Sequence, residues 1–318
     1  MPEVVLFITG PTGAGKTEVA LSLAKKLKTE IISADSRQIY KGMDVGTDKV
    51  PLEVREKIPH HLVDVALPGE LFTVADFKEK AEKIIERLHA EGKLPCVCGG
   101  TGLYISSLIR GLFPGPSRDR KIREKLEREA KEKGLSFLYS RLKEVDPEAG
   151  SRIHPNDKVR IIRALEVWEK TGYPISLHQK EKTSPPSWES LITCIYFKDR
   201  KKLYRVIEER VDKMLNRGLV EETRKLLVEG YDERFCSMQA IGYREMVLFL
   251  KGKVSFDEAV SEIKKKTKAF ARRQLTFFKK INEAIWLARE DFPSIDALSE
   301  RIVELLLEKF PQAKKYIL

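Results

Sequence analysis

The sequence is short of three things. It has four cysteines in 318 residues, Cys96, Cys98, Cys194 and Cys236, too few and too scattered for a disulfide framework. Cys96 and Cys98 alternate within Pro95-Cys-Val-Cys-Gly99 and are expected on one face of a buried strand; a metal site would need partners that the sequence does not offer. No apolar run approaches the length of a membrane span, so no membrane partner is expected. The first apolar run leads directly into a glycine-rich turn, which predicts no signal peptide and a cytoplasmic protein. Finally, the first third of the chain lacks net charge. The total is +11, but 1–113 contributes 0, 114–190 +4 and 191–318 +7. A small anionic substrate held in the neutral part does not account for that excess, whereas a polyanion touching the middle and C-terminal parts does. Solvated helix faces explain the 34% charged residues but not their uneven sign.

What is present starts with Gly10-Pro-Thr-Gly-Ala-Gly-Lys-Thr17, between the apolar run Val4 to Ile8 and the helical pattern Val19, Leu21, Leu23, Ala24, Leu27. Strand, glycine-rich turn and helix form the context in which G-x-x-x-x-G-K-[ST] reads as a phosphate loop. Gly10, Pro11, Thr12, Gly13, Ala14, Gly15, Lys16 and Thr17 are therefore the expected oligophosphate grip. Backbone amides and the helix N-terminus face the anion, Lys16 adds a full charge, and Thr17 offers a hydroxyl to Mg²⁺. The loop leaves open whether it holds a nucleoside triphosphate or a diphosphate leaving group.

Further along, Glu30 to Ala34 reads as a short buried strand, and Asp35-Ser-Arg-Gln-Ile-Tyr40 follows at its C-terminal end. In a parallel sheet that edge faces the ligand crevice, so Asp35 either serves the bound anion's neighbourhood or caps the next helix. Pro59-His-His-Leu-Val-Asp64 tempts a metal reading, but adjacent side chains diverge; a hydrogen-bonding role is favoured. Asp76 is expected at the start of an amphipathic helix through Ala81, Ile84, Ile85 and Leu88. Leu94 to Cys98 is another core strand, ending in Gly99-Gly-Thr-Gly-Leu-Tyr104, where Thr101 presents a hydroxyl to the crevice or caps a helix. A nucleotide hydrolase would carry a carboxylate at such a strand end, and none stands there.

From Pro114 to Ser117 the texture changes to charged helical segments, Asp119 to Gly134, Leu135 to Val145 and Asp157 to Thr171, with no clear strand before Leu191 to Phe197. The predicted fold is thus α/β, a P-loop NTPase-like parallel sheet flanked by helices, with a mostly helical insertion domain. The core is 1–113 plus 191–318 and the insertion is 114–190, with Thr183 to Ser187 as a hinge or loop. Arg160 and Arg163 share a helix face and meet either phosphates or water. Arg210 falls beside the apolar face of a helix from Leu203 to Leu215. Lys264 to Lys280 packs eight basic residues with three phenylalanines; Ile263, Phe270, Phe277 and Ile281 are expected to share its apolar face. The tail from Ser294 predicts one more helix.

With Asp35 to Tyr40 added to the phosphate loop, the sequence resembles the tRNA dimethylallyltransferases almost end to end. The resemblance includes His60 to Asp64, Val74-Ala-Asp76, Gly99 to Tyr104, Arg152-Ile-His-Pro-Asn-Asp157, Arg160 to Leu165, Thr171-Gly-Tyr-Pro174, Gln239 to Arg244 and Ala271-Arg-Arg-Gln274. Gly13-Ala14 stands where Ala-Ser is common, Thr276-Phe-Phe-Lys279 where Thr-Trp-Phe-Arg is usual, and the eukaryotic zinc finger is absent. The resemblance implies transfer of a dimethylallyl group from dimethylallyl diphosphate to N6 of adenosine 37 in tRNAs reading codons that begin with U. It implies Mg²⁺ as cofactor, with Thr17 as its protein ligand, and Asp35, Thr101, Arg210 and Lys16 as catalytic residues. Asp35 would accept the N6 proton; Lys16 and Arg210 would stabilise the departing diphosphate. The implied tRNA contacts are Asp35, Ser36, Arg37, Gln38, Thr101, Arg123, Val159, Arg160, Ile161, Ile162, Arg163, Gln239, Ala240, Ile241, Gly242, Tyr243, Arg244 and Glu245. The insertion would clasp the anticodon stem-loop, and a monomer is expected. A nucleotide kinase, an adenylate isopentenyltransferase and a non-catalytic RNA binder are the competing readings.

Overall fold

A computed structural model describes residues 3–112, 115–181 and 186–317. The expected boundary at 113/114 and most of the expected hinge lie outside the described residues. The chain divides into two compact units, one made of Met1–Ile109 with Pro186–Leu318 and the other of Arg110–Pro185.

In the first unit, the uninterrupted apolar run becomes β1 (Val4–Thr9), buried along its length, as a strand covered on both faces must be. It pairs with β2 (Ile31–Ser33), β3 (His60–His61), β4 (Cys96–Cys98), β5 (Glu189–Tyr196) and β6 (Ile285–Ala288) in a parallel sheet ordered β3-β2-β4-β1-β5-β6. β3 and β6 extend the sheet beyond the four strands expected. β3 is two histidines long and offers no apolar run to read. The register Leu6↔Cys96 and Ile8↔Cys98 puts both cysteines on the face of Val4, Leu6 and Ile8, as their alternation predicts.

Around the sheet run α1 (Lys16–Lys26), α2 (Leu52–Lys57), α3 (Val74–Ala90) and α4 (Gly102–Arg110). The second unit contributes α5 (Arg120–Glu132), α6 (Leu135–Val145), α7 (Pro147–Arg152), α8 (Lys158–Thr171) and α9 (Ile175–Glu181). The first unit then resumes with α10 (Arg200–Asn216), α11 (Leu219–Val228), α12 (Tyr243–Leu250), α13 (Phe256–Phe278) and α14 (Ile295–Lys309). One sheet face packs Leu6 and Ile8 with Val19 and Leu23 of α1 and Leu298 and Ile302 of α14. The other packs Val5 and Phe7 with Phe77 and Ile85 of α3 and Ile105 of α4. α3 opens with a capping box in which Thr73 and Asp76 satisfy each other's backbone amides. The second unit has its own core of Leu126, Leu138, Leu142, Ile161 and Leu165 and contains no strand among its described residues.

The basic helix α13 departs from expectation. Its buried positions are Ala259, Ile263, Ala271, Gln274 and Phe278, not Phe270, which is 37% exposed. Ile281 is buried but lies beyond the helix end, so helical spacing does not apply to it. No helix among the described residues is long and apolar enough to cross a membrane.

Candidate active site

Every strand runs parallel, so the turns after β1, β2 and β4 emerge at one sheet edge. After β1 the chain makes the glycine-rich turn. Gly10, Gly13 and Gly15 hold φ of 139°, 81° and 87°, a region that favours glycine. A Cβ on Gly10 would lie 2.2 Å from the carbonyl oxygen of Ile195, so the turn is tucked against the neighbouring strand. Lys16 opens α1 and its Nζ donates to the Pro11 carbonyl at 2.8 Å. Burial pulls the Lys16 ammonium below its ordinary pKa; the Arg210 guanidinium pushes the same way and the Asp35 carboxylate opposes both. An amine so placed gains when an anion arrives. Thr17 is exposed beside it.

After β2 stands Asp35. No helix follows for it to cap: its Oδ1 accepts from the Arg37 amide at 2.8 Å, closing a turn that fixes the carboxylate. The β4 turn is docked on the same segment. A Cβ on Gly99 would lie 2.2 Å from the Ala34 carbonyl oxygen, the Thr101 amide donates to that carbonyl at 3.1 Å, and the Thr101 hydroxyl accepts from the Ser36 amide at 2.9 Å. Thr101 directly precedes α4, yet its side chain serves the Asp35 turn instead of the helix. Gln38 is held between Ser33 and the Thr47 carbonyl, and Arg37 donates to the Cys236 carbonyl.

Arg210 reaches the site from α10. Its Nη1 donates to the Thr12 hydroxyl, and its Nε to Asp48 at 3.0 Å, whose other oxygen takes Arg217 at 2.9 Å. Sequence reasoning missed Asp48, which sits at φ 53° in a loop without periodicity. That loop is pinned in turn by Glu222, whose carboxylate accepts from the amides of Asp44, Val45 and Gly46 and from the Tyr243 hydroxyl. Gln274 was also missed as a site residue. The signal was legible, a glutamine on the apolar face of an otherwise basic helix.

Several of the expected tRNA-contact residues have buried side chains. Tyr243 is fully buried, Ala240 5% and Glu245 2% exposed. Glu245 accepts from the Gly242 amide and pairs with Lys266, so these residues shape the start of α12 from beneath. Gly242 is buried as well, whereas Gln239 and Arg244 are exposed and Ile241 is half-buried. In the second unit Ile161 and Ile162 belong to the core, while Val159 and Arg160 are exposed. Arg163 is committed internally: it donates to the Pro116 carbonyl and to Glu166, a fully buried carboxylate that also takes Arg123 at 3.4 Å. Arg160 is the freer cation of that helix face, 72% exposed and loosely paired with Asp157 at 3.5 Å.

The described residues contain no group of three or more His, Cys, Asp or Glu placed to hold an ion. Burial pushes the Cys98 thiol up to about 12, far from thiolate chemistry. His61 bonds Glu30 at 2.6 Å, and His60 bonds the Ile58 carbonyl at 2.7 Å.

Sheet order, glycine-rich turn and helix define the P-loop class of α/β proteins. A family model described as IPP transferase matches residues 38–281, and the chain belongs to that family. It is 48% identical over 303 residues to the tRNA dimethylallyltransferase of Acetivibrio thermocellus, covering 95% of this chain and 96% of that one. Identity to the tRNA dimethylallyltransferase of Caldanaerobacter subterraneus subsp. tengcongensis is 45% over 308 residues, 96% and 98% of the two chains. Among solved structures, the tRNA delta(2)-isopentenylpyrophosphate transferase of Staphylococcus epidermidis superposes with a TM-score of 0.70 at 36% identity, covering 97% of this chain and all of that one. A eukaryotic dimethylallyltransferase acting on tRNA gives 0.82 at 28% identity, covering 98% and 80%.

Proposed function

We propose that this protein transfers the dimethylallyl group of dimethylallyl diphosphate to N6 of adenosine 37 in tRNAs reading codons that begin with U, releasing diphosphate. The family supports the reaction. The observation that carries its assignment to this site is geometric: Arg210 reaches the Thr12 hydroxyl of the loop from which Lys16 emerges, and the turn that fixes the Asp35 carboxylate is held by Thr101 at the same sheet edge.

In this mechanism the N6 lone pair attacks the allylic carbon as the carbon–oxygen bond to diphosphate breaks. Negative charge grows on the departing oxygens, where Lys16, the loop amides and Arg210 oppose it. The carboxylate of Asp35 orients the amine and takes its proton, and Thr101 holds the Asp35 turn in place. A stacked adenine cannot reach such a group, so the base enters flipped out of the anticodon loop. The donor set would suit Mg²⁺, an ion that keeps its waters and needs few protein ligands: the exposed Thr17 hydroxyl would hold it. Bound there, Mg²⁺ would neutralise charge on the leaving group. Exposed Arg160, Gln239 and Arg244 support tRNA contacts, and the protein acts as a cytoplasmic monomer.

The test is incorporation of label from dimethylallyl diphosphate into unmodified tRNA with Mg²⁺, followed by digestion to locate the modified base. Asp35→Asn should lower turnover by about 10²–10⁴-fold while tRNA binding persists. Retained turnover removes Asp35 from the proton-accepting role; phosphoryl transfer from ATP without prenylation points to a kinase instead.

A further inference from the structure

Gln274 lies on the buried face of α13, 7% exposed, next to the exposed Arg272 and Arg273. A buried amide side chain costs free energy unless both its ends are bonded. Here both are, and to different parts of the site. Oε1 accepts from the Thr12 amide in the glycine-rich loop at 2.8 Å, and Nε2 donates to the Gly100 carbonyl at 2.9 Å, one residue before Thr101. The fit leaves no slack: a Cβ on Gly100 would lie 2.3 Å from Nε2, and one on Gly102 2.3 Å from the ring of Phe277, also on α13. A single side chain therefore bridges the loop that grips the leaving group and the turn that supports Asp35.

We infer that Gln274 is a positioning residue for the transfer reaction, fixing the separation between the diphosphate loop and the turn of Thr101. The inference rests on the function proposed above. Its physical content is that a displacement of about 1 Å between reacting groups costs about 10²-fold in rate, and that the amide spans the two turns whose relative placement sets this distance. Its oxygen also takes up the Thr12 amide, so that donor is spent on the scaffold rather than on phosphate.

Two variants test it. Gln274→Met keeps the length and loses both hydrogen bonds. With Arg272 and Arg273 untouched, tRNA affinity should stay within about twofold, while kcat at saturating substrates falls about 10- to 100-fold. Gln274→Glu gives a signature that a general loss of packing cannot. Its carboxylate accepts from Thr12 but repels the Gly100 carbonyl, whereas the protonated acid both accepts and donates as the amide does. Burial raises the pKa of such a carboxyl. The ratio of the Glu variant's kcat to wild type should therefore rise severalfold as pH is lowered from about 8 to about 6, the ratio cancelling pH effects common to both proteins. A Met variant with kcat within twofold of wild type overturns the inference. If that variant misfolds, a pH-independent ratio for the Glu variant overturns it. Wild-type protein without transfer activity would overturn the proposed function as well.

Discussion

At the scale of single residues, Arg210 shows how geometry as well as charge defines a role. Its Nε and Nη1 are used simultaneously, on the Asp48 carboxylate and the Thr12 hydroxyl. A planar fork can do this, and a lysine ammonium on a flexible stem cannot hold both directions. Both Arg210→Ala and Arg210→Lys should therefore lose about 10²–10³-fold in kcat/KM with dimethylallyl diphosphate as the varied substrate. A Lys variant within a few-fold of wild type would reduce the role of Arg210 to that of a point charge. The sequence places Arg210 beside an apolar helix face, which was enough to nominate it. Asp48, which aims it, stayed hidden because the contact spans 162 positions and its loop has no period to read.

At the scale of elements, β1, β2, β4 and β5 were legible from their apolar runs and helices such as α1, α3 and α10 from their 3.6-residue period, whereas β3 is two histidines with no apolar run to read. On α13 the expected apolar face was off by one residue. Its apolar face was phased through Phe270 and Ile281, whereas the helix stops at Phe278 and seats Ala271 and Gln274 inward. At the β2 edge an ion network links elements that are distant in sequence. Glu30 accepts from Lys93 at 2.7 Å, from Arg87 on α3 at 2.7 Å and from His61 on β3 at 2.6 Å. Burial alone would raise the Glu30 carboxyl, but these hydrogen bonds outweigh it and hold it at about 2, against 4.5 for the free group. A carboxyl depressed on folding stabilises the protein above its unfolded pKa and loses that contribution as pH falls through the folded one. Glu30→Gln should thus cost on the order of 1–2 kcal/mol at neutral pH, and the gap to wild type should close as pH falls from about 5 to about 2. Denaturant titrations across that range measure it; a pH-independent gap would mean that the network contributes packing rather than charge.

At the scale of the whole molecule, the question is where the +11 charge can act. Composition located the excess in the middle and C-terminal parts but counted every cation alike. The structure separates them. On α13, Lys264 is held by Asp212, Lys265 by Glu262, Lys266 by Glu245 and Lys268 by Glu208. Arg272 and Arg273, one turn further on, are exposed and make no ion pair among the described residues; the Arg273 guanidinium lies 5.8 Å from the Phe270 ring centre. A cation already neutralised by a carboxylate releases little counterion atmosphere when a phosphate backbone arrives, whereas an unpaired one contributes its full share. Replacing Arg272 and Arg273 together by Ala should therefore flatten the dependence of log Kd for tRNA on log salt by about 1–2 units. Replacing Lys264 and Lys266 should flatten it by less than about half as much. Binding titrations between about 50 and 200 mM salt give both slopes. Equal slopes for the two double variants would mean that the paired lysines exchange their carboxylates for phosphates, so that the polyanion is read by the whole basic helix and not by its C-terminal turns.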